Sequence, residues 1–175
     1  MKIVTVKEVE YISFKLAKEM MSFNEPIPDF STRFPNILES CIATPFQSFA
    51  KKSFYPTLVS KASILFYLMI KNHPFQNGNK RIAITTLLVF LHKNGKWLKV
   101  DTQELYNFTV WIASSPPKLK EEIVKAIEKF LTLYMIDPAR LGAFATIKIE
   151  REKWMEKEMN IVNSIHQFFT DDEEF

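Results

Sequence analysis

The chain has 175 residues, 47% of them apolar and 14% aromatic, enough to bury one substantial core and too apolar for a disordered or low-complexity protein. Its longest apolar runs, Ala62 to Ile70 and Ile82 to Leu91, fall short of the roughly 20 residues that cross a bilayer, and the start Met-Lys-Ile-Val-Thr-Val-Lys-Glu lacks a secretory signature, so a cytoplasmic protein without a membrane partner is expected. Net charge is only +3 but unevenly placed: residues 137–175 hold five Lys/Arg against nine Asp/Glu, leaving 18 against 11 for residues 1–136, a basic body that suits an anionic ligand although a solvated surface is the commoner cause.

Thr5-x-x-Glu8 is a capping-box pattern, and Val9, Ile12, Leu16 and Met20 follow at helical spacing, so a first helix is expected from about Val6 to Met21. Pro26, Pro28 and Pro35 make residues 24–33 a loop before a short helix around Asn36 to Ala43. The lone cysteine within it, Cys41, fits a small buried apolar residue in a reducing compartment. Residues 44–55 show no helical stripe and read as a small hairpin or an ordered loop. Pro56-Thr57 then opens a helix over Leu58 to Asn72, with Ala62, Leu65, Phe66 and Met69 on one face.

Ile82 to Leu91 is apolar nearly all round except for Thr85 and Thr86, the pattern of a central buried helix. Asn94-Gly95 is a plausible stop. A helix from about Gln103 to Ala113, capped by Asp101 or Thr102, precedes Pro116-Pro117, and Lys118 to Tyr134 carries Ile123, Ile127, Phe130, Leu131 and Tyr134 at helical intervals. The last section, residues 137–175, reads as a helical extension. Its long charged helix, about Lys148 to Phe169, carries an apolar stripe that needs a partner, either the same domain or a second molecule, and it ends in an acidic tail. The domain organisation is therefore a core at 1–136 and an extension at 137–175, in an all-α fold.

Between the two most apolar helices stands His73-Pro74-Phe75-Gln76-Asn77-Gly78-Asn79-Lys80-Arg81. The chain has three glycines, against roughly a dozen at average usage, and Gly78 is one of them. A loop in this position sets Asn79, Lys80 and Arg81 in the first turn of the next helix, where backbone amides have no intrahelical partner and form an anion site, especially if Gly78 permits close approach. Lys80 and Arg81 add charge for phosphate oxygens. Imidazole can be neutral near pH 7 and accept a proton, so His73 is a candidate general base. Phe75 can only anchor the loop in the core. Spacing alone fits a polar interhelical turn equally well.

The stretch resembles the signature of the Fic/Doc family, in particular its Doc-like (death-on-curing) branch, His-x-Phe-x-(Asp/Asn)-(Ala/Gly)-Asn-Lys-Arg, at all fixed positions. Similarity extends through Phe54-Tyr55-Pro56-Thr57-Leu58 to Lys71-Asn72 and through Leu91-His92-Lys93-Asn94-Gly95, covering about 90 residues. The resemblance implies a Fic fold, a helical bundle around a central buried helix with a small flap. It implies that His73 is the general base for a target-protein hydroxyl, that Gly78, Asn79 and Lys80 form the anion-binding turn, and that Arg81 contacts phosphate. ATP or another nucleoside triphosphate would be the donor, with magnesium. Asn77 stands where many relatives hold magnesium with a carboxylate, and a neutral amide oxygen is a weak ligand for so hard a cation. Residues 44–55 lie where the family's flap docks its target by backbone pairing, with Phe46, Ser48, Phe49, Lys51 and Lys52 as candidate contacts.

AMP-transferring members typically carry Gly where Lys80 stands and a second Arg where this chain has Ile84. Both departures favour the Doc-like branch, which implies phosphate transfer to a Ser or Thr hydroxyl of a translation factor by the toxin of a toxin–antitoxin pair. AMP transfer onto a Ser, Thr or Tyr hydroxyl and a catalytically weakened nucleotide- or partner-binding module are the alternatives. The family's inhibitory motif, (Ser/Thr)-x-x-x-Glu-(Gly/Asn), is matched only in its first part at Thr146 and Thr170, so inhibition is expected from a separate antitoxin or from the acidic tail. His92 and His166 have no metal-ligand neighbours at suitable spacing, and Lys93, Lys96 and Lys99 around Trp97 do not form a recognisable nucleic-acid motif. A homo-oligomer is left open.

Overall fold

The computed structural model describes residues 1–20 and 26–138. Residues Met1–Ile136 form one compact all-α unit. The helix and acidic tail expected beyond residue 138, with His166 and the two partial inhibitory motifs, lie outside the described residues.

Helix α1 runs through three consecutive segments, an α-helical Val6–Glu8, a π-helical Val9–Phe14 and an α-helical Lys15–Met20. Thr5 caps it as its sequence requires: the Thr5 hydroxyl accepts from the Glu8 amide at 3.2 Å while the Glu8 carboxylate accepts from the Thr5 amide at 2.7 Å. The π segment was not legible in the sequence. Inside it the Ser13 carbonyl accepts from Thr85 Oγ1 at 2.7 Å, so one of the two threonines that interrupt the central apolar run ties that helix to α1.

Helix α2, Pro35–Ala43, starts with proline in its first turn, where the missing amide costs nothing. A single 3-10 turn, Thr44–Phe46, leads into a hairpin of two-residue strands, β1 Ser48–Phe49 and β2 Lys52–Ser53, antiparallel with Ser48 opposite Ser53 and Phe49 opposite Lys52. Helix α3, Leu58–Lys71, is capped by Thr57, whose hydroxyl accepts from the Ser60 amide at 3.0 Å. Every residue from Ser60 to Ile70 is buried, including the whole face Ala62, Leu65, Phe66 and Met69.

Helix α4, Asn79–Lys93, is the central element and is buried from Arg81 to Leu91 without a break. It stops as Asn94-Gly95 suggests. Gly95 takes φ +70°, its amide bonds His92 O at 2.9 Å and the Lys96 amide bonds Leu91 O at 2.9 Å, which together satisfy the last carbonyls. The two buried helices pack side by side, α1 covers α4, and α2, α5 and α6 cover α3. Here α5 is Thr102–Ser114, capped by Asp101 through bonds from the Gln103 and Glu104 amides, and α6 is Lys120–Tyr134.

Helix α6 buries Ile123, Ile127 and Leu131 and leaves Phe130 and Tyr134 half-buried, with the Phe130 ring stacked 4.1 Å from Phe108. A second strand pair, β3 Trp97–Leu98 with β4 Met135–Ile136, closes the end of α6 against the turn after α4. Trp97 is buried there, and Lys93 is paired with Glu8 and with Ile3 O, so the lysines of that turn have no exposed ring between them. The His92 ring stands edge-on to Trp97.

At the same place Lys2 and Asn94 exchange two bonds, the Lys2 amide to Asn94 Oδ1 at 2.8 Å and Asn94 Nδ2 to Lys2 O at 3.0 Å. Burial alone would raise the Glu8 carboxyl, but its bonds from Lys93 and Thr5 outweigh that and hold it below the usual carboxylate range. Among the described residues no helix is long and apolar enough to cross a membrane, and no cluster of His, Cys, Asp and Glu could hold a metal ion.

Candidate active site

The site is the turn between α3 and α4, and it is built from the backbone outward. Asn72 ends α3, with its amide still bonded to Leu68 O at 2.9 Å. His73 follows at φ +48°, in the left-handed region that a non-glycine residue enters at a cost of about 1–2 kcal/mol. That reversal, followed by Pro74, breaks the helix and leaves the His73 side chain exposed while Pro74 and Phe75 turn inward. Strain of this kind persists only where the surroundings over-determine it.

Four constraints do so. Pro74 O accepts from the Phe34 amide at 2.9 Å. Phe75, 4% exposed, packs its ring 6.0 Å from Phe14 and 5.8 Å from Phe30, and those two rings meet edge-to-face at 5.4 Å. The Asn79 side chain closes the loop on itself, accepting from the Phe75 amide at 2.9 Å and donating to Phe75 O at 2.7 Å. Gly78 sits at φ +78° under Ile27, and a Cβ on it would stand 2.7 Å from Ile27 Cγ1. Only glycine meets both the left-handed backbone and that close approach.

Gly78 is also the residue that caps α4, and it has no side chain with which to do so. The first intrahelical bond is Ile82 N to Gly78 O at 2.9 Å. The cap residue therefore supplies no side-chain bond to the first-turn amides at the positive end of a helix fifteen residues long. Lys80 is exposed on that turn, and Arg81 is 7% exposed. An exposed imidazole, a glycine-faced helix terminus and a lysine thus share one short turn, an arrangement that can receive an anion and remove a proton beside it.

Asn77 is half-buried. Its Oδ1 accepts from the Gly78 amide at 2.7 Å and its Nδ2 lies 3.4 Å from Pro26 O. Asn79 was assigned to the anion-binding turn; its backbone lies there, but its side chain is committed to Phe75. Of the candidate flap residues, Ser48, Phe49, Lys51 and Lys52 are exposed on the hairpin, with Phe49 75% exposed. Phe46 is instead half-buried at the base, its ring edge-on to Phe90 of α4 at 6.3 Å.

The sequence profile of the Fic/DOC family matches residues 4–91, half of the chain and the whole of this site. The chain belongs to the Fic/DOC family. It is also 33% identical over 73 residues, 42% of its length, to the protein named Toxin Doc of Mycolicibacterium smegmatis (strain ATCC 700084 / mc(2)155). That match spans 56% of the relative, little more than half its length. No solved structure matches the chain significantly.

Several residues of the Fic/DOC site were not found by sequence reading. Phe14, Phe30 and Phe34 hold the loop from three different elements, and Ile27 fills the space over Gly78. Each is an ordinary apolar residue in its own segment, and only the fold brings them together. The one available signal was the aromatic excess, 16 phenylalanines in the chain.

Proposed function

We propose that this Fic/DOC protein is a Doc-like toxin that transfers the terminal phosphate of a nucleoside triphosphate to a serine or threonine hydroxyl of a target protein, such as a translation factor, in the cytoplasm, and that a separate antitoxin restrains it. The observation that carries the reading is the exposed His73 imidazole on the same short turn as the Gly78-faced start of α4, where the cap residue has no side chain. The similarity to a protein named Toxin Doc supports the toxin–antitoxin setting.

In this reading the donor's phosphates lie along the Gly78-Asn79-Lys80 turn, against the Asn79 and Lys80 amides, with the Lys80 ammonium and Arg81 guanidinium offsetting their charge. His73 takes the proton of the target hydroxyl. The freed oxygen attacks the terminal phosphorus, the bond from that phosphorus to its bridging oxygen breaks, and a nucleoside diphosphate leaves. Asn77 would offer magnesium one neutral oxygen, already accepting from the Gly78 amide, so the ion would be held mainly by the donor's own phosphates and would offset their charge. The hairpin β1–β2 is the edge on which the target's backbone docks, displaying Phe49 and its neighbours.

Ile84 supports phosphate over AMP transfer. It stands one turn after Lys80, where AMP-transferring relatives place a second arginine, and here it is 2% exposed and belongs to the core. The test is incubation with a bacterial lysate, magnesium and ATP labelled at either the gamma or the alpha phosphate. Gamma label on a protein is the expected result; alpha label alone would establish AMP transfer, and neither label with measurable ATP binding would leave a binding module. His73→Ala is expected to lower labelling at least about 100-fold, the usual worth of a positioned general base, and retained labelling would remove His73 from the mechanism.

A further inference from the structure

Lys61 lies near the start of α3 and is 7% exposed, among residues that are otherwise apolar or small. Its ammonium donates to Pro45 O at 2.7 Å and to Ser53 Oγ at 3.3 Å, and sits 4.7 Å from the centre of the Phe46 ring. No carboxylate is among these partners. An ammonium buried with neutral partners is a costly choice, since an apolar side chain of similar length fills the same space without losing hydration. Burial accordingly pulls the Lys61 pKa below the usual lysine range.

What the cation joins gives it a purpose. Pro45 and Phe46 belong to the turn that enters β1, and Ser53 is on β2. One group therefore bonds both legs of the hairpin to α3, the helix that ends at His73. Apart from the buried Pro45 and the Phe46 ring against Phe90 on its entering side, the hairpin has little else to fix it. Its strands are two residues each, and its turn residues Ala50 and Lys51 take φ +49° and +66° without being glycine. Phe49 and Phe54 are 75% and 60% exposed. A two-stranded ribbon of this size is not stable by itself in water.

We propose that Lys61 is a positioning residue: it sets the angle and height of the hairpin relative to the His73 loop, so that a target segment paired with the hairpin presents its hydroxyl to the imidazole. The proposal rests on the reading of the hairpin as the target-docking edge. Lys61 touches neither donor nor target. It acts through the geometry of an edge that would otherwise sample many orientations, and fixing an edge in advance removes an ordering cost from binding.

The test is Lys61→Met in the full chain, measured in four ways. Thermal midpoint is expected to stay equal or rise, because the methionine removes a buried charge at nearly constant volume. Affinity for ATP alone should remain within about twofold. The Phe54 amide, bonded to Gln47 O at 3.2 Å across the hairpin base, should exchange with deuterium about tenfold faster. Gamma-label transfer to the lysate protein should fall about tenfold, and with that protein purified the loss should appear in KM with kcat within about twofold.

Unchanged exchange or unchanged transfer in Lys61→Met overturns the proposal. If Lys61→Met does not fold, Lys61→Gln, which keeps a donor and loses reach, takes its place, and the same two unchanged readouts overturn it. If the unmutated protein labels nothing, the proposed phosphotransfer fails, while the exchange of the Phe54 amide still decides whether Lys61 holds the hairpin.

Discussion

The His73 loop and the hairpin are two short irregular segments flanking the same buried helix α3, and they are held in opposite ways. The loop is closed at every point: Asn79 bonds both the amide and the carbonyl of Phe75, Phe34 bonds Pro74, three phenylalanine rings lock together, and Ile27 presses on Gly78. The hairpin is fixed only at its base, and its tip projects with Phe49 in solvent. Chemistry on a phosphate requires atoms that do not move, whereas recognition of another chain's backbone requires an accessible edge with unspent hydrogen bonds. Rigidity and openness are thus assigned to neighbouring turns of one framework.

The comparison is most easily broken at Asn79. Asn79→Ala removes both bonds to Phe75 and leaves a buried amide and carbonyl unpaired, which should cost about 3 kcal/mol of unfolding free energy. Denaturant titration measures it, and a loss under about 1 kcal/mol would mean that the aromatic cluster alone holds the loop. His73→Gly sharpens the comparison from the other side. It relieves the left-handed strain and should stabilise the protein by about 1 kcal/mol while abolishing transfer, so that stability and activity move in opposite directions. A thermal midpoint no higher than that of the unmutated protein would show that the His73 backbone is not strained. Phe49→Ser addresses the open side and should change stability by less than about 0.5 kcal/mol. The same variant should reduce target labelling, and equal labelling would take Phe49 out of the docking edge.

Much of this molecule was legible because its helix starts are written locally. Thr5 with Glu8, Thr57, and Asp101 of the pair Asp101-Thr102 each cap a helix that begins where expected, and the apolar run after Arg81, interrupted only by Thr85 and Thr86, became the central helix. The nine-residue motif falls between the two buried helices where its flanking apolar runs put it, and the hairpin was anticipated as one of two forms for residues 44–55. What remained hidden depends on residues far apart in the chain. The π segment of α1 meets Thr85 more than seventy residues later, and nothing within Val9–Phe14 marks it. Gly78 looked like a residue chosen for the approach of a ligand, yet its nearest neighbour is Ile27. Asn79 read as an anion contact because its type and position allow that, and its side chain was spent on Phe75. Lys61 carries no signal of its own within an apolar helix, and only the hairpin's position reveals its partners. The strands β3 and β4, two residues each, are too short to leave an alternating pattern.

The paired bonds between Lys2 and Asn94 bear on how the protein is made. The helix that carries the site is latched at its far end to residues synthesised 92 positions earlier, and α1 cannot complete its packing until α4 exists. At about 5–20 residues per second on the ribosome, that interval is about 5–18 seconds. Throughout it the first helix waits without its main partner, and the loop that positions His73 lacks the Asn79 bonds that close it. The order of synthesis therefore withholds a finished site until α4 has emerged, with α5 and α6 still to follow, and the interval before Asn94 emerges is one in which a chaperone would have apolar surface to hold.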